Sequence, residues 1–181
     1  RWTTELLDHL ACGRASLLET VSATAEAQRG RSPGAGRWSV GNVLSHLART
    51  EGQIASMLQR RTTATGSAFA DVTPDVDGAS IVDSFDGAPV LDRSERVQAP
   101  EWAQPDFSMT AEDAMRALVR ARQRLERVLT LNDGVDVRVV RQEHFFFGEL
   151  DFYQWMAFAG FHERRHTEQL REITAALAGQ R

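Results

Sequence analysis

Cysteine is almost missing from this chain: Cys12 is the only one among 181 residues. A single thiol closes no internal disulfide, which fits a reducing cytoplasm, and Cys12 reads as a small helix residue. Long apolar runs are missing too. No stretch approaches the roughly 18 residues of a membrane span, and no secretory signal pattern is visible. Positive charge is not in excess. The net charge of −4 argues against a general phosphate-neutralising surface, and so against nucleic acid as a partner. The best basic cluster, Arg116, Arg120, Arg122, Arg124 and Arg127, is diluted by acidic neighbours and reads as a solvated helix face. No internal repeat, phosphate loop or Ser/His/Asp arrangement is visible.

Apolar residues are plentiful. They make up 42% of the chain, enough for a packed core and too many for a disordered one. The length suits one domain spanning 1–181. Apolar residues recur at three- and four-residue steps in four segments, which predicts four helices. The first covers about 4–28, with Leu6, Leu7, Leu10, Leu17, Leu18 and Val21 on its stripe, before Gly30 and Pro33 break the pattern. The second covers about 39–61, with Val40, Leu44, Leu47, Ile54 and Leu58 in register; Ser39 is its N-cap and Trp38 its anchor. The third covers about 110–131, opens on Thr110 and Asp113, and turns Ala114, Leu118, Ala121, Leu125 and Val128 inward. The fourth covers about 151–178, capped by Asp151 with Gln154, and carries Phe152, Trp155, Ala159, His162, His166, Leu170, Ile173 and Leu177.

Between the second and third helices, about 62–109 is irregular and holds Pro74, Pro89, Pro100 and Pro105. Segments this long carry function or cross over the fold. A crossover of that length returns the chain to its starting end, leaving helices two and three parallel. Residues 136–140 alternate polar and apolar but have no clear partner strand, so they read as connector.

The chemistry sits in the histidines. Each helical step turns about 100°, so His162 and His166 point about 40° apart, on the apolar face of their helix. Buried imidazoles need partners. One metal ion can take both nitrogens; the alternative is a pair of core histidines satisfied by hydrogen bonds. The segment His162-Glu163-Arg164-Arg165-His166 also matches the H-E-x-x-H helix of zinc proteases. Such a protease needs a third ligand downstream, and no histidine follows His166, although Glu168 and Glu172 do. Glu163 points well off the histidine pair and is a poor base. His46 lies on the flank of the second helix. His144 reads as a surface-turn residue, with the mouth of the site as the alternative, and His9 as solvent exposed. Two charges interrupt apolar stripes, Arg14 in the first helix and Glu51 in the second. Buried charges need partners. The two either pair across the bundle, or Glu51 orients a ligand histidine, or both reach solvent.

Two stretches resemble a known family. Residues 38–47, Trp-Ser-Val-Gly-Asn-Val-Leu-Ser-His-Leu, are similar to the "WS…vl.HL" segment of the DinB-like metalloprotein superfamily. Gly148-Glu149-Leu150, followed by 161–170 with its two histidines and Gln169, resembles the family's "G.L…H…H..Q" helix. The resemblance implies an all-α, four-helix bundle with an up-down-down-up path, often dimeric. It implies a metal held by His46, His162 and His166, typically nickel or zinc, with open positions for water. It also implies a small-molecule chemistry such as transfer or isomerisation dependent on bacillithiol, mycothiol or glutathione. The 62–109 insert looks longer than in compact members. The expected function is therefore a metal-dependent thiol S-transferase or related enzyme, with a metal-dependent hydrolase or a non-catalytic metal-binding bundle as alternatives. For the transferase the metal lowers the pKa of the thiol, and Cys12 is not needed.

Overall fold

The computed structural model describes residues 1–66, 69, 78–95 and 97–179. Four long helices dominate: α1 (Trp2–Ser22), α2 (Val40–Thr65), α4 (Ala111–Leu131) and α5 (Phe152–Ala178). A single turn, α3 (Ala88–Leu91), lies in the crossover. The sheet is a hairpin of β1 (Arg141–His144) and β2 (Gly148–Asp151), antiparallel, pairing Arg141 with Asp151 and His144 with Gly148. No helix is long and apolar enough to cross a membrane among the described residues.

The helix starts follow their caps. The Ser39 hydroxyl accepts from the Asn42 N–H at 3.1 Å while the Asn42 side chain accepts from the Ser39 N–H at 3.0 Å. Asp151 and Gln154 make the same reciprocal pair, and Thr110 accepts from the Asp113 N–H. Each satisfies donors that a helix otherwise leaves bare. The expected helices at 110–131 and 151–178 are found with these caps. α1 ends at Ser22, not near residue 28. There the Thr24 hydroxyl bonds to that of Thr174 in α5 at 2.6 Å, turning the chain away, and only a short 3-10 turn (Glu26–Gln28) follows. α2 runs past 61, because Thr62, Thr63 and Thr65 return their hydroxyls to backbone carbonyls of the preceding turn. It stops at Gly66, whose φ is 70°.

The hairpin departs from the expectation of helices alone. Residues 136–140 are connector, as expected, with Val137 and Val140 buried. The strands come just after. Arg141–His144 has no apolar alternation, and Gly148 closes the turn at φ 71°. Of the crossover prolines, Pro74 lies outside the described residues.

α1 packs on α5, and α2 on α4. Gly41 meets Ala111, Gly52 meets Ala121, and the Ser56 hydroxyl accepts from Arg124, so α2 and α4 run in the same direction. That is the arrangement a long crossover permits. Gly160 brings α1 close: a Cβ there would overlap the His9 ring, whose Nε2 lies 3.1 Å from the Ala157 carbonyl. His9 is thus half-buried against α5, not solvent exposed.

The core divides into two apolar clusters. One gathers Leu6, Leu10, Ile54, Leu58, Leu125, Phe152 and Met156; the other Leu17, Val21, Leu44, Leu47, Leu118, Leu170 and Leu177. Between them each long helix contributes one charge: Arg14, Glu51, Arg122 and Glu163. Arg14 donates to Glu163 at 2.9 and 3.0 Å and to Glu51 at 3.3 Å. Arg122 donates to Glu51 at 2.7 and 3.1 Å, to Glu163, and to the Leu10 carbonyl at 2.8 Å. Every basic residue of the chain is an arginine, and here the planar fork lets each guanidinium bridge two carboxylates. Arg122 therefore leaves the solvated face to Arg116, Arg120, Arg124 and Arg127, which are exposed.

Removing one partner of such a layer strands buried charge. Arg122→Met is expected to destabilise the protein by about 3–5 kcal/mol in urea denaturation; a loss below about 1 kcal/mol contradicts the layer's role. Gly160→Ala is expected to cost about 1–3 kcal/mol through overpacking against His9. Gly13→Ala, whose added methyl meets its nearest atom at an ordinary 3.6 Å, serves as the tolerated control.

Candidate metal centre

One turn from the charged layer, α2 and α5 bring three imidazoles together. The Nε2 atom of His162 lies 3.3 Å from that of His46 and 3.2 Å from that of His166. One nitrogen from each ring lies within 4.8 Å of the others. His46 and His166 are buried, and His162 is partly open to a cavity of about 840 Å³.

The outer nitrogens define the inner ones. His46 Nδ1 is 2.6 Å from the Ala103 carbonyl, which only accepts, so Nδ1 carries the proton and Nε2 a lone pair. His166 Nδ1 is 2.7 Å from the Gln169 side-chain oxygen, with the same consequence. His162 Nε2 has one hydrogen at most and faces two lone pairs. Hydrogen bonding alone leaves at least one close nitrogen pair repelling. A cation satisfies all three. Tetrahedral nitrogens at about 2.0–2.1 Å from a zinc-type ion are about 3.3–3.4 Å apart, which matches the spacings found. The residues present therefore fit a divalent metal of this kind.

Packing fixes the rings. Trp38 sits 5.0 Å from His46 and stacks over His166 at 6.3 Å, while Phe158 stacks on His162 at 5.3 Å. The crossover matters here. It supplies Ala103, the carbonyl that orients His46, and its 90–95 stretch is gripped by Arg165, which donates to the Val90, Asp92 and Glu95 carbonyls. Arg93 in turn donates to the Arg165 carbonyl and pairs with Glu172 at 2.7 Å.

Two sequence expectations change here. Glu51 pairs with Arg14 as one reading held, and with Arg122 besides. Its hydrogen bonds go to these guanidiniums, so the orientation of the histidines is left to Ala103 and Gln169. Both carboxylate oxygens of Glu51 accept from Arg14 and from the buried Arg122. Burial pushes Glu51 up to about 7 against the pull of Arg122. Burial also raises Glu163, but Arg14 and Arg122 outweigh it and hold that carboxyl below its ordinary value. His144 is buried at 5% exposure and lines the cavity, so the surface-turn reading gives way to the alternative. Its signal was weak in the sequence, because a short strand placed it there.

The model of the DinB superfamily matches residues 9–170, and the chain belongs to that superfamily. The chain is 29% identical over 147 residues to the uncharacterised protein YuaE of Bacillus subtilis (strain 168), covering 79% of this chain and 81% of that protein. The crystal structure of TT2238, a four-helix bundle protein, matches with a TM-score of 0.61 at 21% identity, over 94% of this chain and 98% of that one. That likeness speaks to the fold.

Burial lowers the pKa of every histidine: His9, His46, His162, His166, and His144 to about 4; for His162 the neighbouring His166 and His46 add to it. An unfolded imidazole takes a proton near 6.5 while these stay neutral, so the unfolded state binds more protons below that pH. Stability is full above about 6.5 and is lost as pH falls toward the folded values. The urea midpoint of metal-free protein is expected to drop from about pH 6.5 to about pH 5, the five histidines outweighing the opposite contribution of Glu51. A flat midpoint over that range contradicts the buried neutral rings.

Proposed function

We propose that His46, His162 and His166 hold one divalent cation, nickel or zinc, and that the protein is a metal-dependent thiol S-transferase acting on a small electrophile. The observation that carries this reading is the convergence of three Nε2 atoms, with Nδ1 of His46 and of His166 bonded elsewhere. When bound, the cation supplies Lewis acidity that lowers the pKa of a thiol reaching its open face. The chain's own residues do the rest. Ala103 and Gln169 keep the His46 and His166 rings in the tautomer that presents Nε2, Trp38 packs on those two rings, and Phe158 packs on His162. The cavity beside His162 has room for a small co-substrate.

A specific observation ranks this above a hydrolysis assisted by a side-chain base. A bound cation acidifies water by itself, but hydrolysis assisted further by a side chain calls for a nearby free base. Glu51 and Glu163 are held by Arg14 and Arg122, and Glu172 by Arg93. A thiol, far more acidic than water, needs no such base.

Purified protein is expected to contain about one divalent metal per chain by elemental analysis, and His162→Ala to lose it. In a conjugation assay with an electrophile and a panel of low-molecular-weight thiols, turnover is expected only when a thiol is present. Turnover without thiol points to the hydrolase instead, and full metal occupancy with neither activity to a non-catalytic bundle.

A further inference from the structure

Two histidines lie outside the proposed metal site, and of these His144, unlike His9, lines the cavity. It closes β1, and its ring packs among Phe145, Phe147, Trp155 and Phe158 at centroid distances of 4.7, 4.9, 5.1 and 4.7 Å. Its Nδ1 accepts two backbone N–H groups of the turn, from Phe146 at 3.1 Å and Phe147 at 3.2 Å. A nitrogen that accepts twice carries no proton. The ring is therefore neutral, with its hydrogen on Nε2. Burial favours the same state.

Nε2–H has no protein partner among the described residues. Yet no fully buried side-chain nitrogen or oxygen is left without one there. This N–H must therefore be reachable from outside the packed core, and His144 lines the same cavity as His46, His162 and His166. Three neighbouring donors are committed. Arg93 is paired with Glu172, Arg165 with carbonyls of the crossover, and the Gln104 amide with the Ala99 carbonyl at 2.5 Å. His144 thus offers a fixed, neutral donor on an aromatic wall, on the cavity that holds the proposed metal site.

We propose that His144 is a substrate-binding residue: its Nε2–H donates to a carbonyl or carboxylate oxygen of a small molecule whose aryl or alkyl part lies against Phe145, Phe147, Trp155 and Phe158. The substrate class is thus an apolar carbonyl or carboxylate compound. Because the ring keeps its proton, His144 selects and orients the ligand without exchanging a proton with it. This deepens the transferase reading and rests on the cavity being its substrate chamber.

The test uses metal-free protein, so that it reads out whether or not the metal assignment holds. Nitrogen spectra of histidine-labelled protein at neutral pH are expected to show His144 protonated on Nε2 and bare on Nδ1. Benzoate, the acceptor-bearing probe, is expected to shift the Nε2 signal. Binding of benzoate to His144→Phe is expected to be at least about tenfold weaker than to wild type. Toluene, which lacks the acceptor, is expected to bind both proteins within about twofold, since the aromatic wall persists. A proton on Nδ1 overturns the proposal. So does benzoate binding unchanged in the variant, or equal loss of benzoate and toluene, which assigns His144 to shaping the turn.

Discussion

A charged layer inside the bundle sets the geometry of everything beside it. Arg14, Glu51, Arg122 and Glu163 come from four different helices and satisfy one another where both neighbouring layers are apolar. Sliding or rolling any helix would strand a buried charge, which is far costlier than shifting an apolar contact. Glu163 follows His162 directly. The bond that fixes the roll of α5 therefore also fixes where its histidines face, and Glu51 does the same for α2, five residues beyond His46. Here a buried ionic layer has its best-attested use, setting register.

Much of what surrounds the site comes from the segments between the long helices. The crossover lends the Ala103 carbonyl to His46 and its 90–95 stretch to one side of the cavity. The hairpin lends His144 and its phenylalanines to another. The bundle thus supplies the inward nitrogens, and the insertions shape what reaches them. This is the division expected when a rigid scaffold carries variable loops. It also separates two parts: the three histidines belong to α2 and α5, and much of the cavity wall beside them to the segments between helices.

Much of this was legible in the sequence. The helices declared themselves by period and caps, and the spacing of His162 and His166 put both on one face. His46 was less visible, because it sits off the centre of its stripe; the resemblance of residues 38–47 singled it out. Arg14 and Glu51 were conspicuous as charges among leucines. Arg122 was not, since it stands in a run of arginines and only its burial distinguishes it. The hairpin was missed because four-residue strands of Arg-Gln-Glu-His and Gly-Glu-Leu-Asp carry no alternation. With it went His144, whose place depends on a pairing that no local pattern reveals. His9 was misjudged for a related reason: what buries it is a glycine in a distant helix, Gly160.

The central claim is that three imidazoles from two helices share one cation. X-ray absorption at the edge of the bound metal measures this directly. The expected first shell is three imidazole nitrogens at about 2.0–2.1 Å with a light atom in the remaining position, replaced on adding thiol by sulfur at about 2.3 Å. A first shell with fewer than three imidazoles, or one built from carboxylate oxygens, contradicts it.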